Sequence, residues 1–299
     1  MFLRLAMVDT GTGLRLHVRA RSGYVDVATA SSIEEYASVT NLLRAGPPGL
    51  AAAAAAAEGD GRELDPSEVG PAVPDPGLIL CLGLNYGEHA VEGGLDAPPT
   101  WPECFIRGPG SVAGPYAALV RPALSERFDY EGELGVVIGK GGRYIPAEEA
   151  VGAIAGYVVL NDASARDWQR AGSQWTAGKN FEGSMPIGPE IVTADEADVS
   201  DAALVTKLNG EVMQSARISQ MIVDIPRAIE FFSSFIKLRP GDVIATGTPG
   251  GVGFARRPPV WLNPGDVVEV SVEGVGTIRN RVVDEGDRPP GWRWRPGDS

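Results

Sequence analysis

The chain has 299 residues, with 26 basic against 39 acidic side chains and a net charge of −13. An acidic protein with no dense Lys/Arg cluster and no zinc-finger or basic-helix pattern repels a phosphate backbone, which excludes nucleic acid as a partner. No apolar run reaches the roughly 18 residues of a spanning helix, Asp9 interrupts the start where a secretory leader stays apolar, and Cys81 and Cys104 are too few for a disulfide scaffold; we expect a cytoplasmic protein with no membrane partner.

Residues 1 to about 30 alternate apolar and polar side chains around a turn at Gly11 to Gly13, the pattern of short antiparallel strands. SIEEYASVTNLLRAG then has helical spacing, with Ser31 or Ser32 as cap and Glu34 and Glu35 in the first turn. Leu50 to Glu58 is an alanine run that reads as a helix without chemistry. The stretch 64–77 carries Pro66, Pro71, Pro74 and Pro76 and predicts an extended connector. Short apolar runs bounded by Gly, Pro, Asn and Asp follow: LILCLGL, LGVVIG, AGYVVLND, PIGPEIV, DVIATGTP and DVVEVSVEG. They predict a mainly β catalytic domain, broken by one clear helix in IPRAIEFFSSFIKLRPGD with Pro226 at its start and Ile229, Phe232 and Ile236 on one face. The expected class is α+β, mainly β, with a small N-terminal module over 1–72, a catalytic domain over 73–286 and an irregular tail over 287–299.

Two constellations could carry chemistry. In FDYEGELGVVIGK, residues i and i+2 of a strand share a face, so Glu131 and Glu133 project together about 6 to 7 Å apart, with Asp129 continuing that face. Carboxylates so close repel unless a cation lies between them. Asp162 closes the apolar run AGYVVLND, where a strand delivers a side chain to the mouth of a barrel or roll. Three carboxylates make the oxygen-rich set that a hard cation such as Mg²⁺ prefers, whereas the two histidines, His17 and His89, lack the spacing of a zinc site. The second constellation is GLNYGEHAVEGG, where His89 and Glu92 stack one helical turn apart and make His89 the candidate general base. His17 falls in an alternating strand and reads as structural.

Taken in order, GLNYGEHAVE, FDYEGELGVVIG, GYVVLNDASARDWQ, GKNFEGSMPIGP, LNGEVMQ, LRPGDVIATGTPGGVG and VEGVGTIRNRVV resemble the fumarylacetoacetase family across roughly residues 78 to 284. The resemblance implies a mixed-sheet β-roll catalytic domain, a bound divalent cation (Mg²⁺, or Mn²⁺ or Ca²⁺) and a homodimer. It implies Glu131, Glu133 and Asp162 as metal ligands and His89 with Glu92 as catalytic dyad. Lys179 falls on the lysine that polarises a substrate oxygen, and Gln169 and Thr248 on substrate-contacting positions. Tyr86, Arg107 and Arg166 complete the expected substrate-binding set. Two departures fall in loops expected to touch the substrate: Arg107 stands where many relatives have lysine, and SARISQMI replaces an Asn-Thr-Ser-Asp stretch. TGTPGGVG is no Walker loop, because Phe254 follows Gly253 where lysine is required, so metal-dependent phosphoryl transfer finds no phosphate cradle.

An acylpyruvate or related diketo acid can chelate a cation through two oxygens, and breaking its carbon–carbon bond then leaves a metal-bound enolate. His89, supported by Glu92, would activate the water, and Lys179 the oxyanion. The expectation is therefore a metal-dependent carbon–carbon hydrolase acting on a small anionic keto acid. An isomerase or decarboxylase of an unsaturated 2-oxo or 2-hydroxy diacid is the alternative on the same site. A noncatalytic acid-binding protein would be expected to have lost the dyad.

Overall fold

The computed structural model describes residues 2–97 and 99–286; the tail expected over 287–299 lies outside them. The N-terminal strands β1 (Arg4–Asp9), β2 (Leu14–Ala20) and β3 (Gly23–Asp26) form a meander, with Gly11 and Gly13 supplying the positive φ of the first turn. His17 is buried on β2, its ring bonded to the Arg15 carbonyl, a structural role as expected. The single helix expected from Ser31 to Arg44 is broken. Asp26 caps a first short helix, α1 (Val27–Ser31), which Ser32 ends in a left-handed conformation; a 3₁₀ turn over Glu34–Ala37 follows, and Ser38 caps α2 (Val39–Ala45). Side-chain caps at Asp26 and Ser38 thus outcompete a continuous helix. The alanine run folds into α3 (Pro47–Ala56), opened by Pro47.

The chain then enters β4 (Ile79–Gly83), α4 (Gly87–Glu92), β5 (Glu103–Arg107), β6 (Val112–Ala113), β7 (Leu119–Arg121), β8 (Phe128–Asp129) and β9 (Gly132–Ile138). Next come β10 (Ile154–Asn161), β11 (Ser164–Ala165), α5 (Arg166–Gln169), α6 (Thr176–Lys179) and β12 (Met185–Thr193). β13 (Ala203–Leu208), β14 (Glu211–Arg217), α7 (Ile225–Phe235), β15 (Val243–Ala245), β16 (Val267–Val272) and β17 (Gly276–Asp284) complete the described fold. Ten strands form one mixed sheet in the order β3-β2-β1-β12-β10-β9-β15-β4-β5, with β6 beside β12; β14-β13-β16-β17-β7 form a second, and β11 pairs β8. α7 is the helix expected there: Pro226 stands in its first turn as expected, Asp224 caps it, and Ile236 lies just past its last residue.

The period-two alternation of a strand decides what each face of the large sheet covers. Leu134, Val136, Tyr157, Val159, Leu80 and Ile244 point to one side, where they meet Leu204, Val268 and Ile278 of the second sheet and Ile229 and Phe232 of α7. Their neighbours Val137, Val158, Leu160, Ile79 and Val243 point to the other, against Val39, Leu42 and Ala53 of the N-terminal helices. β9 is buried along its whole length because both faces are covered, which is why its sequence is continuously apolar after Glu133. Each such side chain contributes about 1.5 to 3 kcal/mol relative to exposure.

The N-terminal module is built onto the catalytic sheet. β1 pairs antiparallel with β12, Leu5 opposite Ile191, and buried Glu190 accepts hydrogen bonds from Arg19 Nε (2.9 Å), Arg19 Nη2 (3.0 Å) and the Tyr24 hydroxyl (2.8 Å). No helix among the described residues is long and apolar enough to cross a membrane.

Candidate active site

Two neighbouring strand ends build the site. Glu131 precedes β9 and Glu133 lies within it, while Asp162 directly follows β10. The junction is locked by backbone bonds: Asp162 N–H donates to the Glu131 carbonyl (2.8 Å) and Glu131 N–H to Asn161 Oδ1 (2.9 Å). All three carboxylates are buried, and one oxygen of each lies within 4.8 Å of the others.

Their partners are unequal. Arg166 Nη1 is 2.6 Å from Glu131, and Lys179 Nζ bridges Glu131 (2.7 Å) and Asp162 (2.5 Å). Burial alone would raise the Glu131 carboxyl, but Arg166, Lys179 and His89 hold it well below the carboxylate range. Burial would likewise lower the Lys179 ammonium, yet Asp162 and Glu131 keep it above its ordinary value. Glu133 makes no ion pair among the described residues; its Oε2 accepts the Gly247 N–H (2.8 Å). Burial and the charges of Asp162 and Glu131 push it well above the usual carboxylate range. A buried all-oxygen triad, one member of which is held by no Lys or Arg among the described residues, fits a hard divalent cation.

Above the triad, His89 and Glu92 lie on α4 with Nδ1 and Oε2 3.4 Å apart. The glycine-rich loop after β15 has a function beyond turning. Its N–H groups reach three carboxylates: Gly247 to Glu133, Gly251 to Glu92 (2.8 Å), and Gly253 and Phe254 to Asp129 (2.8 and 3.0 Å). Gly247 and Gly251 have φ of +95° and +99°, and a Cβ on Gly251 would stand 2.1 Å from the Met213 carbonyl, so glycine is required to aim these donors.

A cavity of about 460 Å³ opens onto Glu131, Glu133, His89, Glu92, Lys179 and Thr248. Arg166 and Gln169 also line it, with Arg166 Nη1 donating to Gln169 Oε1 (2.9 Å). Thr248 donates its hydroxyl proton to the Gly132 carbonyl (2.9 Å) and accepts from Gln214 Nε2 (2.8 Å).

Two expected substrate-binding residues do not reach this wall. Arg107 is fully buried behind Asp162, bonding it through Nη1 and holding Ser111, Ser184 and the Ala163 carbonyl. Its planar fork therefore orients Asp162 without lining the cavity. Tyr86 is also buried, and its hydroxyl has no hydrogen-bond partner among the described residues. Asp129, expected on the glutamates' face, is drawn out of the triad by Arg166 Nε (2.9 Å) and the loop donors. Sequence reasoning missed Gln214, which ties Gly132 N–H to Thr248, and the cavity residues Phe105, Trp175, Phe254 and Arg257. The only signal for Gln214 was its place in LNGEVMQ.

A buried acid triad, a bridging lysine and a His–Glu pair gathered at one cavity mark the site of an enzyme. Residues 78–283 match the family model described as "Fumarylacetoacetate (FAA) hydrolase C-terminal", and the chain belongs to that family. It is 44% identical over 214 residues to "Oxaloacetate tautomerase FAHD2A, mitochondrial" of Bos taurus, spanning 71% of this chain and 68% of that protein. The crystal structure of a putative HpcE protein from Mycobacterium smegmatis superposes with a TM-score of 0.88 at 38% identity, covering 95% of this chain and all of that one. A probable 2-hydroxyhepta-2,4-diene-1,7-dioate isomerase from Mycobacterium abscessus gives a TM-score of 0.80 at 31% identity over 96% of this chain and all of that one. The expected α+β fold and the assignment as an enzyme of this superfamily are thereby established.

Proposed function

We propose that the protein is a keto–enol tautomerase of small 2-oxo acids of the oxaloacetate type, and that hydrolysis of an acylpyruvate is the second reading. The observation that carries it is the convergence of His89 and Lys179 on the cavity that Glu131 and Glu133 of the triad line. The relatives named oxaloacetate tautomerases support this order.

With Nδ1 directed at Glu92, His89 has Nε2 left to take a proton from the substrate carbon and return it at oxygen. Glu92, fixed by the Gly251 N–H, supports the imidazolium formed in between. Lys179 stabilises the charge that develops on the enol oxygen. Glu131, Glu133 and Asp162 would hold a divalent cation, Mg²⁺ in our reading, which supplies Lewis acidity toward the 2-oxo group. No water need be activated for the proton shift; the same dyad activates one in the hydrolytic reading.

The discriminating experiment follows the enol absorbance of oxaloacetate and of an acylpyruvate in parallel, with identification of products. Enol loss with oxaloacetate recovered intact is expected. Release of pyruvate from the acylpyruvate without acceleration of the oxaloacetate equilibrium would replace tautomerase by hydrolase, and catalysed loss of CO₂ from oxaloacetate would replace it by decarboxylase.

A homodimer associating through the catalytic domain, working in the cytoplasm, completes the reading. Light scattering is expected to give twice the chain mass, and a concentration-independent monomer removes the dimer.

A further inference from the structure

The cavity wall carries positive charge that its own carboxylates do not use. Arg166 gives Nε to Asp129 and Nη1 to Glu131 and Gln169, and its buried Nη2 has no hydrogen-bond partner among the described residues. Arg170, one helical turn further on, rests on the Phe254 ring at 4.3 Å from the centroid; Arg166 lies over the same ring at 4.7 Å. Arg257 lines the cavity too, and its hydrogen bonds run from Nη1 to the backbone carbonyls of Ala255 and Arg256. Neither Arg170 nor Arg257 has a carboxylate within ion-pair distance among the described residues.

Two guanidiniums on one aromatic ring repel each other. Burial, and then the charge of Arg166, hold Arg170 below its ordinary value. Phe254 offsets part of that repulsion through its face. The rest is relieved by an anion, and a buried N–H without an acceptor is unfavourable until one arrives. The triad side of the cavity accounts for one end of a 2-oxo acid and leaves these three cations for the other.

We propose that Arg170 and Arg257, together with the free Nη2 of Arg166, bind a second carboxylate and select 2-oxo dicarboxylates over 2-oxo monocarboxylates. The proposal rests on reading the site as one for 2-oxo acids. Arg170 and Arg257 are specificity-determining residues here, and Phe254 positions Arg170.

The test compares 2-oxoglutarate with 2-oxopentanoate, ligands of equal chain length that differ by a carboxylate in place of a methyl. Each is titrated calorimetrically into the Mg²⁺-loaded wild type and the variants Arg170→Met, Arg257→Met and Arg170→Lys. Wild type is expected to bind the diacid at least about tenfold more tightly, the scale of a charge-assisted hydrogen bond. Each methionine variant should lose about that factor for the diacid while monoacid binding stays within about threefold, which also reports that the variant is folded; Arg170→Lys should recover part of the loss. Equal affinity of wild type for both ligands, absence of binding, or an equal weakening of both ligands in the methionine variants overturns the proposal. Calorimetry measures binding alone, so a protein that shows this pattern without tautomerising oxaloacetate refutes the function proposed above and leaves the subsite standing. Turnover that depends on His89 with no arginine-dependent preference does the reverse.

Discussion

Replacing His89 by alanine is expected to lower kcat by about 10² to 10⁴, the usual scale for losing general acid–base catalysis, with metal content unchanged. His89 touches none of the triad's hydrogen bonds; its polar contact is Glu92, 3.4 Å away. Glu92→Gln should lower kcat by a smaller factor, because an amide oxygen can still accept the Gly251 N–H while the charge that supports an imidazolium is gone. Stopped-flow decay of the enol absorbance measures both. Near-normal rates in His89→Ala with the cation bound would assign the base to another group, such as a bound hydroxide, and end the dyad's role.

The second large effect concerns the triad. Chelation is expected to abolish turnover and to lower the thermal midpoint, since a ligand present at 100 times its Kd contributes about 2.7 kcal/mol to the native state. For a chain of 299 residues, at about 2.1 cal/mol/K of unfolding entropy per residue, that is on the order of 4 °C. Glu133→Gln sharpens the test. Without cation it replaces the one carboxyl of the triad held by no Lys or Arg, whose charged form burial, Asp162 and Glu131 disfavour, by a neutral amide, so the metal-free variant should melt above the metal-free wild type. Added Mg²⁺ should then raise its midpoint little. Differential scanning calorimetry with and without EDTA reads both; full activity after exhaustive chelation, or an undiminished Mg²⁺ response in the variant, would refute the metal site.

What was legible in the sequence follows from the range of the forces involved. Alternation and helical spacing are local, and they located the meander, α7 and the apolar strands β9, β10 and β16. Glu131, Glu133 and Asp162 were legible because each sits at or beside a strand end whose pattern is visible, and His89 with Glu92 because they lie one helical turn apart. Arg107 was misplaced because its position depends on a partner 55 residues away: a guanidinium reads as a substrate anchor until Asp162, Ser111 and Ser184 are seen to occupy it. The glycine loop's second use was hidden for the same reason, since backbone N–H groups carry no sequence signature and only the fold shows that Glu92, Glu133 and Asp129 stand opposite them. The broken helix at Ser31 to Arg44 marks a different limit, where side-chain caps decide between two segmentations with similar propensity.

The pairing of β1 with β12 also bears on how such a chain can diverge. β12 lies beside β10, the strand that delivers Asp162, and its other edge at Ile191 and Val192 is covered by β1. Deleting the meander would bare that edge as a row of open N–H and C=O groups flanked by large apolar side chains, a template on which a second chain can add and aggregate. The first strands are therefore replaceable in detail yet not removable. A relative that begins differently must close the same seam with another strand, a helix or a neighbouring subunit.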